Sequence, residues 1–180
     1  MNKLFLGLLA AVALFGAMET NAKAQAISCP GYAKTSVYDM SWTVPIAPQQ
    51  RYAVNMVPGE AVIFRFTVPA NALQATHRPG WIAIYEYIDS PVMRWSKLSE
   101  QPCDFYNGQF GAQGVETSHR IVVNPDWVTP ANSVPFMLLT PGKTYYVNVT
   151  TANPAKPGSK GCANLYRQTC KFAAEPAWPQ

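Results

Sequence analysis

Few residues in this chain have the types and spacing that chemistry needs. Glu116, Ser118 and His119 form the closest grouping of an acid, a nucleophile and a base. On an extended strand, neighbouring side chains point to opposite faces, so adjacency does not bring Ser118 to His119. His77, within Thr76-His77-Arg78-Pro79-Gly80, reads as a polar turn residue. A glycosidase needs two carboxyl groups across a cleft. The acids beyond residue 26 (Asp39, Glu60, Glu86, Asp89, Glu100, Asp104, Glu116, Asp126 and Glu175) are scattered singly, so only the fold can pair them. Asp104 with Asn107, and Asn124 with Asp126, offer the loop oxygens that calcium takes, yet neither has the spacing of a defined calcium loop. There is no G-x-S-x-G, no H-E-x-x-H and no phosphate-binding loop. Gly108, Gly111 and Gly114 lead toward a strand at Arg120 instead of opening a helix. The expectation is no catalytic motif, no metal and no cofactor.

Aromatic side chains give the more informative pattern. With Asp89-Ser90 as a two-residue turn, Trp81 to Ile88 and Val92 to Leu98 form a hairpin that sets Tyr87 beside Val92, Tyr85 beside Arg94 and Trp81 beside Leu98. One face then carries Trp81, Tyr85, Tyr87 and Arg94. The other carries Ile82, Ile84, Ile88, Met93 and Trp95, interrupted by Glu86 and Lys97, and is the expected core side. Trp81, Tyr85, Tyr87 and Arg94 are therefore the candidate ligand-binding residues, expected to look outward and suited to a sugar face or a protein partner.

The elements that must position them are strands. All 16 prolines lie beyond residue 26, and Pro48, Pro58, Pro69, Pro79, Pro91 and Pro102 recur every 10 to 12 residues. Proline breaks helix interiors and settles in turns and at sheet edges, so this rhythm predicts short strands between turns, as in a sandwich or barrel. Val62, Phe64, Phe66 and Val68 alternate with Ile63, Arg65 and Thr67, which predicts a half-buried strand. Further strands are expected over Val37 to Thr43, Arg120 to Asn124, Val134 to Leu139 and Thr144 to Thr151, about seven in all.

The first residues predict export. Met1 to Lys3 carry one positive charge, Leu4 to Ala17 form an apolar run of about 14 residues, and Ala22-Lys23-Ala24 or Ala24-Gln25-Ala26 supplies a small-residue cleavage site. Residues 1–26 are read as a secretory signal peptide, cleaved after Ala24 or Ala26, and 27–180 as one domain with a disulfide-clipped C-terminal tail. The run falls short of the roughly 20 residues of a membrane-spanning helix, and no second one follows. Ala26-Ile27-Ser28-Cys29 loosely resembles a lipobox, but it lies away from the apolar run, and lipidating Cys29 would leave three cysteines. Without Lys3, Lys23 and Glu19 the domain holds 12 basic and 9 acidic residues, a charge too mild to imply nucleic acid. Four cysteines in an oxidising compartment predict two disulfides. The short separation of Cys162 from Cys170 favours a local clip, leaving Cys29 for Cys103.

One segment carries a family resemblance. Leu139-Thr140-Pro141-Gly142-Lys143-Thr144-Tyr145-Tyr146-Val147-Asn148-Val149 resembles the E–F corner and F strand of fibronectin type III and related immunoglobulin-like sandwiches. The resemblance implies that Tyr145 holds the corner through its hydroxyl, with Val147 and Val149 in the core. It marks a fold, not an activity. The expected fold is thus an all-β antiparallel sandwich of about seven strands, immunoglobulin-like, with a jelly roll as the alternative. Pro102 to Phe105, the corner and the cysteine pair near the end also resemble exported bacterial proteins of unknown function.

Three function classes follow. The first is an exported, non-catalytic binding or structural module that meets a polysaccharide or a protein partner through the aromatic face. The second is a small secreted hydrolase whose residues converge only in three dimensions. The third is an inhibitor of another exported protein, presenting a loop such as Asn107 to Gly114.

Overall fold

The computed structural model describes residues 26–42, 50–72, 78–86, 93–105, 108–128, 135–153 and 170–179. The predicted signal peptide, apart from its final Ala26, lies outside them, as do Tyr87 and Cys162. The described residues form ten strands: β1 (Lys34–Asp39), β2 (Tyr52–Met56), β3 (Glu60–Thr67), β4 (Gly80–Glu86), β5 (Arg94–Ser99), β6 (Gly111–Gly114), β7 (Thr117–Val122), β8 (Phe136–Leu138), β9 (Thr144–Thr150) and β10 (Cys170–Ala177). A single 3-10 turn, Pro125–Trp127, is the one helical element among them. Two five-stranded sheets result. Sheet A runs β1-β3-β9-β5-β6 and sheet B runs β2-β10-β4-β7-β8, so the domain is an all-β sandwich. Most pairings are antiparallel; the edge pairs β1 with β3 and β7 with β8 are parallel.

The alternation of β3 decides where the core lies. Val62, Phe64, Phe66 and Val68 are buried between the sheets with Ile82, Ile84, Leu98, Ile121, Val147, Val149 and Phe172. Ile63 points the other way and is equally buried, because sheet A carries a second layer of Cys29, Ala61, Phe105 and Tyr32 on its outer face. Cys29 is bonded to Cys103, which rules out the lipid anchor and straps the N-terminal segment to the β5–β6 connection. Fully buried Asn148 supports that connection, accepting from the Cys103 N–H at 2.8 Å and donating to the Gln101 carbonyl at 3.1 Å. Asn148 also heads a formal N-glycosylation sequence, Asn148-Val149-Thr150, and its burial closes that site in the folded state.

The corner before β9 closes by two devices. Pro141 and Gly142 form a tight turn in which Gly142 takes a φ of +80°, a region open to glycine, and the Lys143 N–H donates to the Thr140 carbonyl at 3.1 Å. Tyr145, wholly buried, accepts the Thr140 N–H on its hydroxyl at 2.8 Å. The strand that follows departs from the immunoglobulin order. β9 lies between β3 and β5, and β10 joins the opposite sheet instead of pairing beside it.

Two expectations about the chain's course are corrected. Residues 170–177 are a strand of sheet B, flanked by β2 and β4, and not a tail. Pro176 is tolerated there because β2 has ended at the level of Ala174, so the position lacking an N–H has a neighbour on one side only. Cys170, at the start of β10, is buried and disulfide-bonded. The second correction concerns the hairpin. β4 and β5 lie in different sheets, so Tyr85 pairs with Ala173 instead of Arg94, and Trp81 pairs with Arg120 and Ala177 instead of Leu98.

Candidate functional site

Among the described residues sheet A is covered on its outer face, and on sheet B the outer face is open around Trp81. Trp81, Ala83 and Tyr85 of β4 point to it, since Ile82 and Ile84 between them are fully buried in the core. Trp81 is 50% exposed. Register places Arg120 of β7 opposite Trp81, and Phe136 of β8 opposite Arg120. The Arg120 guanidinium sits over the Phe136 ring, 5.5 Å from its centroid. Pro79, Gly80, Trp81, Ser118, Arg120 and Phe136 line an open groove of ≈ 390 Å³. Gly80 is required there by close approach: a Cβ would lie 2.3 Å from the Ala177 carbonyl oxygen and against Pro179.

At the other end of the same face, Tyr85 is held and not presented. Its hydroxyl donates to Glu175 at 2.7 Å, Arg51 approaches Glu175 at 3.6 Å, and the Arg51 guanidinium lies 5.0 Å from the Tyr85 ring centre. Burial and the neighbouring carboxylate push the Tyr85 hydroxyl up to about 12. Ala83 lies between Trp81 and Tyr85 on this face, with Glu175 of β10 and Ser118 of β7 level with it.

Arg94 does not belong to this face. It is fully buried between the sheets, donating to the Val115 carbonyl at 2.6 Å and the Lys171 carbonyl at 3.2 Å, with its guanidinium 5.4 Å from the Phe172 ring centre. Met93, expected in the core, is 45% exposed. The inner face of β5 is Arg94, Ser96 and Leu98, and the first two are polar residues that alternation alone assigns to solvent. Of the four predicted binding residues, Trp81 and Tyr85 are brought together, Arg94 is not, and Tyr87 lies outside the described residues. The residues that sequence reading missed are Ser118, Arg120 and Phe136. Thr117, His119 and Ile121 alternate with Ser118 and Arg120, which marks the outward positions of β7. Nothing local, however, signals that β7 pairs with β4.

Ser118 and His119 do diverge: Ser118 is exposed in the groove and His119 is 4% exposed in the core. His119 meets a different serine. Its Nε2 lies 2.9 Å from Ser96 Oγ, which in turn lies 2.7 Å from Thr117 Oγ1. Ser96 is 2% exposed, so this nucleophile-and-base spacing is enclosed between the sheets. Burial depresses the imidazole to about 4, although a bond to the Phe110 backbone opposes the shift. An unfolded histidine titrates near 6.5, so the unfolded chain takes up the proton first. This contribution to stability is complete above about pH 6.5 and is lost as pH falls toward 4. We expect wild type to lose on the order of 3 kcal/mol across that window, and His119→Gln to show a much flatter profile in urea melts. Asp39 and Glu60, whose carboxyls are held below their ordinary values, add their losses lower on the pH scale.

The acids are mostly engaged in ion pairs. Asp39 is held by Arg65 at 2.6 Å, Glu60 by Lys34 at 3.0 Å, Asp104 by Lys97 at 2.8 Å and Glu100 by Lys143 at 2.6 Å. Asn124 accepts from the Asp126 N–H as a turn cap. Among the described residues no group of three or more His, Cys, Asp or Glu side chains could hold a metal ion. Gly111–Gly114, expected in a presented loop, are instead the edge strand β6, paired with β5.

No family model and no curated protein matches the chain. Among solved structures it is similar to PliG of Aeromonas hydrophila, a periplasmic lysozyme inhibitor of g-type lysozyme, at a TM-score of 0.40 and 5% identity over 82% of this chain and 98% of that one. A likeness at that score bears no weight in assigning fold or function.

Proposed function

We propose that this is an exported, non-catalytic module that binds a partner protein through the outer face of sheet B. The observation that carries the reading is Trp81: a large aromatic, half exposed on a rigid central strand, beside an arginine stacked on a phenylalanine. Tryptophan and arginine are the side chains that dominate protein interfaces. The face extends in the same sense, since Leu138, two residues beyond Phe136 on β8, is 44% exposed. Exposed aliphatic groups add area for a protein and little for a polysaccharide. Export is supported by the Cys29–Cys103 bond, the chemistry of an oxidising compartment. The inhibitor reading is one form of this proposal, with the sheet face in place of a loop.

The test compares wild type with Trp81→Ala, both immobilised and presented with the exported proteins of the producing organism. The expected result is a protein held by wild type, at least tenfold weaker on Trp81→Ala, with the melting temperature unchanged. Retention of a polysaccharide and no protein would overturn the reading. A drop of several degrees in melting temperature would make Trp81 a structural residue.

A further inference from the structure

We infer that the groove around Trp81 seats an acidic side chain of the partner protein, its carboxylate meeting Arg120 and its apolar neighbours resting on Trp81 and Phe136. The inference rests on the protein-binding reading above and specifies its chemistry. Among the described residues of the groove lining Arg120 is the one that carries a charge, and none is an acid. Arg51, Arg65, Lys34, Lys97 and Lys143 each meet a carboxylate, and Arg94 is enclosed in the core. Among the described residues Arg120 has no such carboxylate, and its recorded contact is the Phe136 ring. A guanidinium supported on a ring keeps its N–H fork for a planar acceptor, the geometry that a carboxylate fills. Exposed Arg78, next to Pro79 at the end of the groove, has the same sign, and the whole chain carries a net charge of +4. Ser118 offers a hydroxyl on the groove wall for a second oxygen.

Charge therefore selects the occupant that the aromatic pair alone does not. A neutral apolar segment would leave the guanidinium desolvated without an acceptor, and a basic one would meet like charge.

Random peptides displayed on phage, selected on the immobilised full domain, test this. Enriched sequences should carry Asp or Glu beside an aromatic or branched aliphatic residue. Their binding should fall at least tenfold on Arg120→Gln and on changing the peptide acid to its amide, with the two losses not adding. Arg120→Lys keeps the charge but not the fork and should retain part of the affinity. Peptides lost on Trp81→Ala but indifferent to Arg120→Gln would overturn the acidic occupant and leave the binding face standing. Peptides indifferent to both variants, or no enrichment at all, would overturn both. An oligouronate that binds in an Arg120-dependent way, when no peptide does, would also overturn the inference, because the carboxylate would then come from a polysaccharide.

Discussion

Arg94→Ala should destabilise the domain by about 4 kcal/mol and lower its melting temperature by roughly 10 °C, with binding at the Trp81 groove unchanged. The side chain supplies donors to two backbone carbonyls, those of Val115 and Lys171, and its stem and guanidinium pack toward Phe172. Each carbonyl left without a donor in this partly buried setting costs roughly 1–3 kcal/mol, and the vacated volume adds to that. Arg94→Met, which restores most of the volume and none of the donors, should recover about half of the loss. Circular dichroism melts distinguish the cases. An unchanged melting temperature with altered ligand binding would return Arg94 to the surface and contradict its burial.

The second large effect belongs to the strap on sheet A. Its cysteines are 74 positions apart, and a closed loop of that size restricts the unfolded chain by about 4 kcal/mol. Cys29→Ser with Cys103→Ser should lower the guanidinium midpoint accordingly and loosen the layer that Phe105 and Tyr32 form, whose rings lie 4.8 Å apart. The double variant is the right probe, since a reductant would also break the bond at Cys170. Sheet B's groove shares no residue with this layer, so its ligand affinity should persist as long as the domain stays folded. A midpoint equal to that of wild type would mean that Asn148 and the Lys97–Asp104 pair hold the connection unaided.

What could be read in the sequence was whatever depends on near neighbours. The alternation from Val62 to Val68, the turn at Pro141-Gly142 and the bond from Thr140 to Tyr145 each involve residues a few positions apart. The partition of strands between sheets depends on distant ones. Asp89-Ser90 between two strand-like runs is the local signature of a hairpin, yet β4 finds better partners in β7 and β10, and β5 in β6 and β9. The face of β5 was misread for a related reason. Binary patterning counts Arg94 and Ser96 as polar, whereas the fold gives Arg94 two carbonyls and a ring, and gives Ser96 a histidine. A buried polar side chain can be recognised only when its partners are known. The groove combines β4, β7 and β8, so half of its lining came from strands that nothing near Trp81 announces.

The late position of two strands has a consequence for how the chain is made. β9 links β3 to β5 in sheet A, and β10 links β2 to β4 in sheet B. Until Thr144–Thr150 and Cys170–Ala177 are present, the earlier strands can assemble only as two separate pairs and one three-stranded piece, with β2 left single, and none of these closes a core. Such non-local pairing makes folding slow and leaves strand edges open for longer. It also keeps the polypeptide threadable. Compaction is thus postponed until the two closing strands join, and a polypeptide that had to cross a membrane before folding would gain from that delay.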